Sequence, residues 1–115
     1  MHYTKPKVLR VDTTKWNVSL DDDNLNHGKL YDTETCSFCI MGALMLEMNF
    51  PADMLGWAYP RNVLTELGLG EEMKWLEELG ASAIMVNDSA RSDSPQVRAK
   101  LTKIFASYGI ELEFV

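Results

Sequence analysis

Residues 35–48 read TCSFCIMGALMLEM, and the fold turns on what this stretch becomes. It holds both cysteines of the chain, Cys36 and Cys39, and runs into an uninterrupted apolar segment from Phe38 to Leu46. Thr35 is a suitable N-cap, so the pattern predicts a helix over 36–48 with both thiols in its first turn. Apolar residues cover nearly the whole circumference of that helix. A helix of this kind belongs in the middle of a domain, surrounded by other elements. Phe50-Pro51 ends it, because proline disfavours helix at the residue before it. Met41, Met45 and Met48 share one stripe. Such a stripe either fills a core or offers an adaptable binding face, and the all-round apolarity favours the core.

Outward from this segment, residues 7–20 (KVLRVDTTKWNVSL) are rich in Val, Thr and Trp and read as extended chain. Residues 21–28 (DDDNLNHG) have loop composition. Pro60 suits the first turn of a second helix, and Gly68 its stop. Glu71 and Glu72 open a third helix, which Gly80 is expected to stop. ASAIMV at 81–86 fits a short strand or a helical turn equally well. For residues 95–108, Ser94 caps, Pro95 occupies the first turn, and Val97, Leu101, Ile104, Phe105 and Tyr108 recur at helical spacing. Gly109 stops that helix. The tail IELEFV alternates at strand period and is placed to pair with the N-terminal segment. The expected fold class is α+β: a mostly helical single domain over 1–115, with a central apolar helix and a small sheet made by the two ends.

The net charge is -6. That disfavours nucleic acid as a partner, which requires a basic stripe. The apolar run is far short of the roughly twenty residues of a membrane span. No secretory leader is visible in MHYTKPKVLR, so a cytoplasmic protein with reduced thiols is expected. Charge is unevenly spread, with an acidic middle between basic ends.

Several chemistries compete with plain packing. Cys36 and Cys39 at one helix start would share a face, and a helix dipole lowers thiol pKa. The βαβ context of a redox site is missing, however. Zinc would take Cys36, Cys39 and His27, with His2 or Asp32 as fourth ligand, in a spacing that fits no common finger. The expectation is no metal and no cofactor. A nucleophilic Cys39 with His27 as base, oriented by Asp88 or Asn87, is possible, but nothing in the sequence selects it. The loop starting at Asp22 fails as a calcium loop, because His27 stands where the sharp turn needs glycine and Thr33 where a glutamate is needed. Trp57 and Tyr59, two aromatics in a loop, are the candidate binding residues, since Trp and Tyr dominate interface energetics.

Trp16, the segment Cys39-Ile40-Met41-Gly42-Ala43-Leu44, the pair Asn87-Asp88 and the periodic C-terminal helix together resemble a family of small uncharacterised bacterial and phage proteins. The resemblance implies an architecture and a phage-like origin, and no activity. The extended entry at 7–20 and the strand-like tail depart from that family's pattern. Gly42 and Ala43 inside the central helix imply close approach of another backbone. The packing reading therefore buries both thiols. The functional expectation is a non-enzymatic interaction protein, a phage-encoded accessory or inhibitor binding a host protein. The alternative is a small thiol-dependent enzyme or redox protein using Cys36 and Cys39.

Overall fold

The computed structural model describes residues 3–17, 30–57, 59–89 and 93–115. In chain order the elements are β1 (Val8–Val11), β2 (Tyr31–Asp32), β3 (Ser37–Phe38), α1 (Ile40–Glu47), a 3-10 turn (Ala52–Met54), α2 (Pro60–Leu67), α3 (Lys74–Ser89), α4 (Pro95–Ala106) and β4 (Glu111–Phe114). The two ends of the chain form a parallel pair, with Val8 opposite Glu111 and Val11 opposite Phe114. Leu9, Val11 and Leu112 are buried while Val8, Arg10 and Glu111 face outward, as strand alternation requires. A parallel pair needs a long crossover, and here the helical body of the chain supplies it. This is the α+β domain that the composition and periodicity predict.

α1 is the central element. It packs on β1, β3 and α3, and Ile40, Met41, Leu44 and Met45 are fully enclosed. Met48 joins them, so the methionine stripe is core. Each such side chain contributes roughly 1.5–3 kcal/mol by leaving water.

The start of α1 departs from expectation. The helix begins at Ile40 with Cys39 as N-cap, and residues 36–39 are not helical. Cys36 instead sits in a turn with φ 56°, joining β2 to β3 as an antiparallel hairpin. The Thr35 hydroxyl, read as a helix cap, pairs with Ser37 Oγ at 2.6 Å. Cross-strand pairing of Tyr31 with Phe38, and the Phe38 amide donating to Lys15 O at 2.9 Å, hold this segment extended. The Cys39 amide donates to Leu30 O at 3.1 Å. That carbonyl then lies against Gly42: a Cβ there would land on the Leu30 carbonyl oxygen and would be 3.2 Å from Phe38 Cβ. Glycine is required by this close backbone approach.

α2 starts at Pro60 and ends at Gly68, whose φ of 70° lets the amide of Leu69 reach Leu64 O at 2.8 Å. α3 begins at Lys74 and runs through Gly80 to Ser89, so Gly80 does not stop it and residues 81–86 are helix. The glycine has a packing reason. A Cβ at position 80 would be 2.9 Å from Pro60 Cγ, so α2 can approach α3 only because none is there. α4 has the expected ends: Ser94 Oγ accepts from the Val97 amide at 3.2 Å, Pro95 follows, and Gly109 takes φ 77°. Among the described residues, no helix is long and apolar enough to cross a membrane.

Candidate functional site

Three short segments far apart in sequence meet around Asn87, which is 1% exposed. Asn87 stands on the last turns of α3. Its Oδ1 accepts from the indole Nε1–H of Trp16 at 2.7 Å and from the Ile40 amide at 3.1 Å. Its Nδ2 donates to Asn17 O at 2.8 Å and to Asp88 Oδ1 at 3.0 Å. The amide orientation is fixed by these partners, since two N–H donors face one end and two oxygens the other. Ile40 is the first residue of α1, so Asn87 satisfies one of the backbone donors that a helix start leaves unpaired. A residue of α3 thus caps α1 from outside, where a local Ser, Thr or Asp would ordinarily do so.

Asn17 extends the network. Its backbone amide donates to Phe38 O at 2.7 Å and its Nδ2 to Ser37 Oγ at 3.0 Å. Trp16 is buried against Phe114, with ring centroids 5.1 Å apart. Arg98, ion-paired to Asp93, lies over the Phe114 ring at 4.9 Å from its centroid. All four hydrogen-bonding positions of the Asn87 amide are filled from within the chain, and it acts as a latch between the N-terminal segment, α1 and α3.

Cys39 lies in the same neighbourhood and is 7% exposed. Burial pushes its thiol up to about 11. The amides of Gly42 and Met41, at the positive end of α1, oppose the shift, while the charge of Asp88 adds to it. The thiol therefore keeps its proton at neutral pH and is a poor nucleophile. The structure brings Cys39 and Asp88 near each other, but the cysteine-nucleophile reading needs Asp88 or Asn87 to orient His27. His27, its proposed base, and His2 lie outside the described residues.

Cys36 corrects the expectation of two buried thiols. It is exposed in the hairpin turn, off the helix, and does not share a helical face with Cys39. Its sulfur donates to Thr33 O at 4.0 Å, and its nearness to the Tyr31 phenol, then burial, hold that phenol above the ordinary tyrosine range. Among the described residues, no three His, Cys, Asp or Glu side chains converge as a metal site.

A second candidate lies on the surface. Trp57 and Tyr59 are 50% and 51% exposed, and every other Trp, Tyr and Phe is buried or partly buried. The loop that carries them is tied down at its base: the Leu30 amide donates to Trp57 O at 2.9 Å and the Tyr31 amide to Leu55 O at 2.8 Å. These bonds hold the backbone at Leu55 and Trp57. Tyr59, Pro60 and Arg61 form one wall of a groove of about 280 Å³, and Glu77, Gly80 and Ala81 on α3 form the other. Sequence reasoning singled out the two aromatics but missed the groove, because Gly80 was read as a helix stop. It also missed Asn17; an asparagine beside a tryptophan carries no local signal of a partner 70 residues away.

Neither a family model, nor a curated protein, nor a solved structure matches this chain.

Proposed function

We propose that this protein is a non-enzymatic interaction module that binds a partner protein through the surface presented by Trp57 and Tyr59. The observation that carries the reading is the exposure of these two rings, on an anchored loop beside an apolar groove, in a chain whose other aromatics are packed. Exposed Trp and Tyr side chains, with few rotatable bonds, give large contact area at small entropic cost, and both are enriched at binding hot spots. The family resemblance carried by Trp16, Cys39-Ile40-Met41-Gly42-Ala43-Leu44 and Asn87-Asp88 extends the proposal to a phage-encoded accessory or inhibitor acting on a host protein in the cytoplasm.

The thiol-dependent alternative has less support. Cys39 holds its proton at neutral pH, and Cys36 stands apart from it in the β2–β3 turn. The test is affinity capture from a bacterial lysate with the native chain, a Trp57→Ala/Tyr59→Ala double variant and a Lys100→Ala control. A protein captured by the native chain and by the control, and lost with the double variant, supports the proposal. Capture that is indifferent to the double substitution, or no capture at all, counts against it.

A further inference from the structure

Residues 3–6 lead into β1 and rest two side chains on rings of the domain. The Tyr3 ring stacks on Phe50, with centroids 4.1 Å apart and planes 10° from parallel. Lys5 Nζ stands 5.0 Å from the centroid of the Trp75 ring. Thr4 between them is exposed. Pairing with β4 begins only at Lys7, whose carbonyl accepts from the Glu111 amide at 2.9 Å. Among the described residues, no hydrogen bond holds the main chain of Thr4, Lys5 or Pro6, and a proline has no N–H to give. This strap can therefore lift while the β1–β4 pairing stays intact. Segments with few buried contacts and no main-chain bonds open at the low end of the local free-energy scale.

The surface beneath the strap is built on helices and stays when the strap lifts. Phe50 follows the end of α1, where Asn49 takes φ 71° and the Phe50 amide donates to Met45 O at 3.0 Å. Trp75 stands on the first turn of α3, and α3 packs on α1. Lifting the strap uncovers both rings. Phe50, 3% exposed with the strap seated, offers a face for stacking, and Trp75, partly buried, offers a face for a cation. The strap itself displays the chemistry these faces accept: an aromatic ring, followed two residues later by an ammonium group.

We propose that Phe50 and Trp75 form a binding site for a segment of a partner protein that carries Tyr or Phe two residues before Lys or Arg, and that Tyr3-Thr4-Lys5 occupies this site in competition. The strap is tethered, so its effective concentration at the site is high. An incoming segment is weakened by the fraction of time the strap is seated.

The probe is the end-blocked peptide Tyr-Thr-Lys-Pro, followed through the Phe50 amide and the Trp75 indole N–H of the isotope-labelled chain. The receiving protein is Tyr3→Ala/Lys5→Ala, which keeps the chain length and removes both ring contacts of the strap. The peptide is expected to shift both signals saturably, with an affinity about tenfold or more tighter than for the native chain. Tyr-Thr-Ala-Pro is expected to bind more weakly, and Ala-Thr-Ala-Pro to leave both signals in place. Equal affinity for the native chain and the variant overturns the proposal. So do shifts located elsewhere, or no shift at the solubility limit of the peptide. Loss of the folded spectrum in the double variant also overturns it, because the strap is then part of the fold and not a competitor. Dimerisation of the native chain that the variant lacks makes a second copy the occupant and removes the partner protein.

Discussion

Trp16 and Asn87, 71 residues apart in sequence, are joined by an indole-to-amide hydrogen bond of 2.7 Å in the interior of the domain. The same Asn87 oxygen holds the first amide of α1, so one side chain fixes the N-terminal segment and the central helix to α3. A buried polar group of this kind stabilises only while every partner is present. An incomplete set leaves donors without water and without acceptors.

Asn87→Asp is therefore expected to be more damaging than its near-identical shape suggests. The oxygen that accepts from Trp16 and Ile40 survives, but both Nδ2 donations are lost and a carboxylate is set beside Asp88. A loss of about 3 kcal/mol or more is expected from the denaturant midpoint at neutral pH. Asn87→Ala orphans the Trp16 and Ile40 donors and is expected to cost a similar amount. A midpoint unchanged by either substitution would mean that the latch is not under load.

Gly42→Ala places a methyl group on the Leu30 carbonyl, which is backbone and cannot rotate away. A loss of about 3 kcal/mol or more is expected, or failure to fold. Gly70→Ala is the matched control, since nothing lies within 4 Å of a Cβ there. It is expected to stay within about 1 kcal/mol of the native chain. Ala43→Leu, at a buried position on the same helix, is expected to cost about 1–3 kcal/mol by overpacking, and Lys100→Leu on exposed α4 to be nearly neutral. Thermal or denaturant unfolding of the four variants checks the ranking.

The two thiols are expected to separate kinetically. Cys36 is exposed and Cys39 is enclosed with its proton held. A thiol reagent at neutral pH should label one site per chain quickly, and peptide mapping should find it at Cys36. The second label should wait for unfolding. Rapid native labelling of Cys39 would restore the thiol-dependent reading.

Cys39 also predicts a dependence on alkaline pH. Its thiol titrates near the ordinary value of 9.0 when unfolded and at about 11 when folded. Below the lower value both states hold the proton, and the folded state gains nothing from pH. Between the two, the unfolded chain ionises while the folded one does not, so stability falls as pH rises. The fall attributable to this group is about 2–3 kcal/mol by the time pH passes the folded value. Other groups titrate in the same window, so the measurement is the difference between the native chain and Cys39→Ala. The variant should show a shallower decline from pH 9 upward, and equal slopes would show that Cys39 is solvated in the native state.

The sequence by itself determined the features that a few neighbouring residues decide. Ser94, Pro95 and Gly109 bound α4, and Pro60 and Gly68 bound α2, because caps and left-handed glycines act within one turn of chain. The alternation of Ile110, Leu112 and Phe114 announced β4, and the all-round apolarity of α1 announced its central place. The exposure of Trp57 and Tyr59 ran against the sequence reading, which favoured packing of these rings over the core, since rings in a loop can fold onto a core or stand clear of it. Tertiary contacts decided the rest, and they overrode local rules where a distant group was closer than the next turn. Gly80 stops a helix by local rule, yet here it admits Pro60 and the helix continues. Thr35 caps a helix by local rule, yet the pairing of Tyr31 with Phe38 holds the cysteine segment extended and moves the start to Ile40. The sequence announced a close backbone approach at Gly42 but not that Leu30 makes it, and the role of Asn87 was beyond reach, because each partner segment lies at least a dozen residues away and only the folded chain specifies its position.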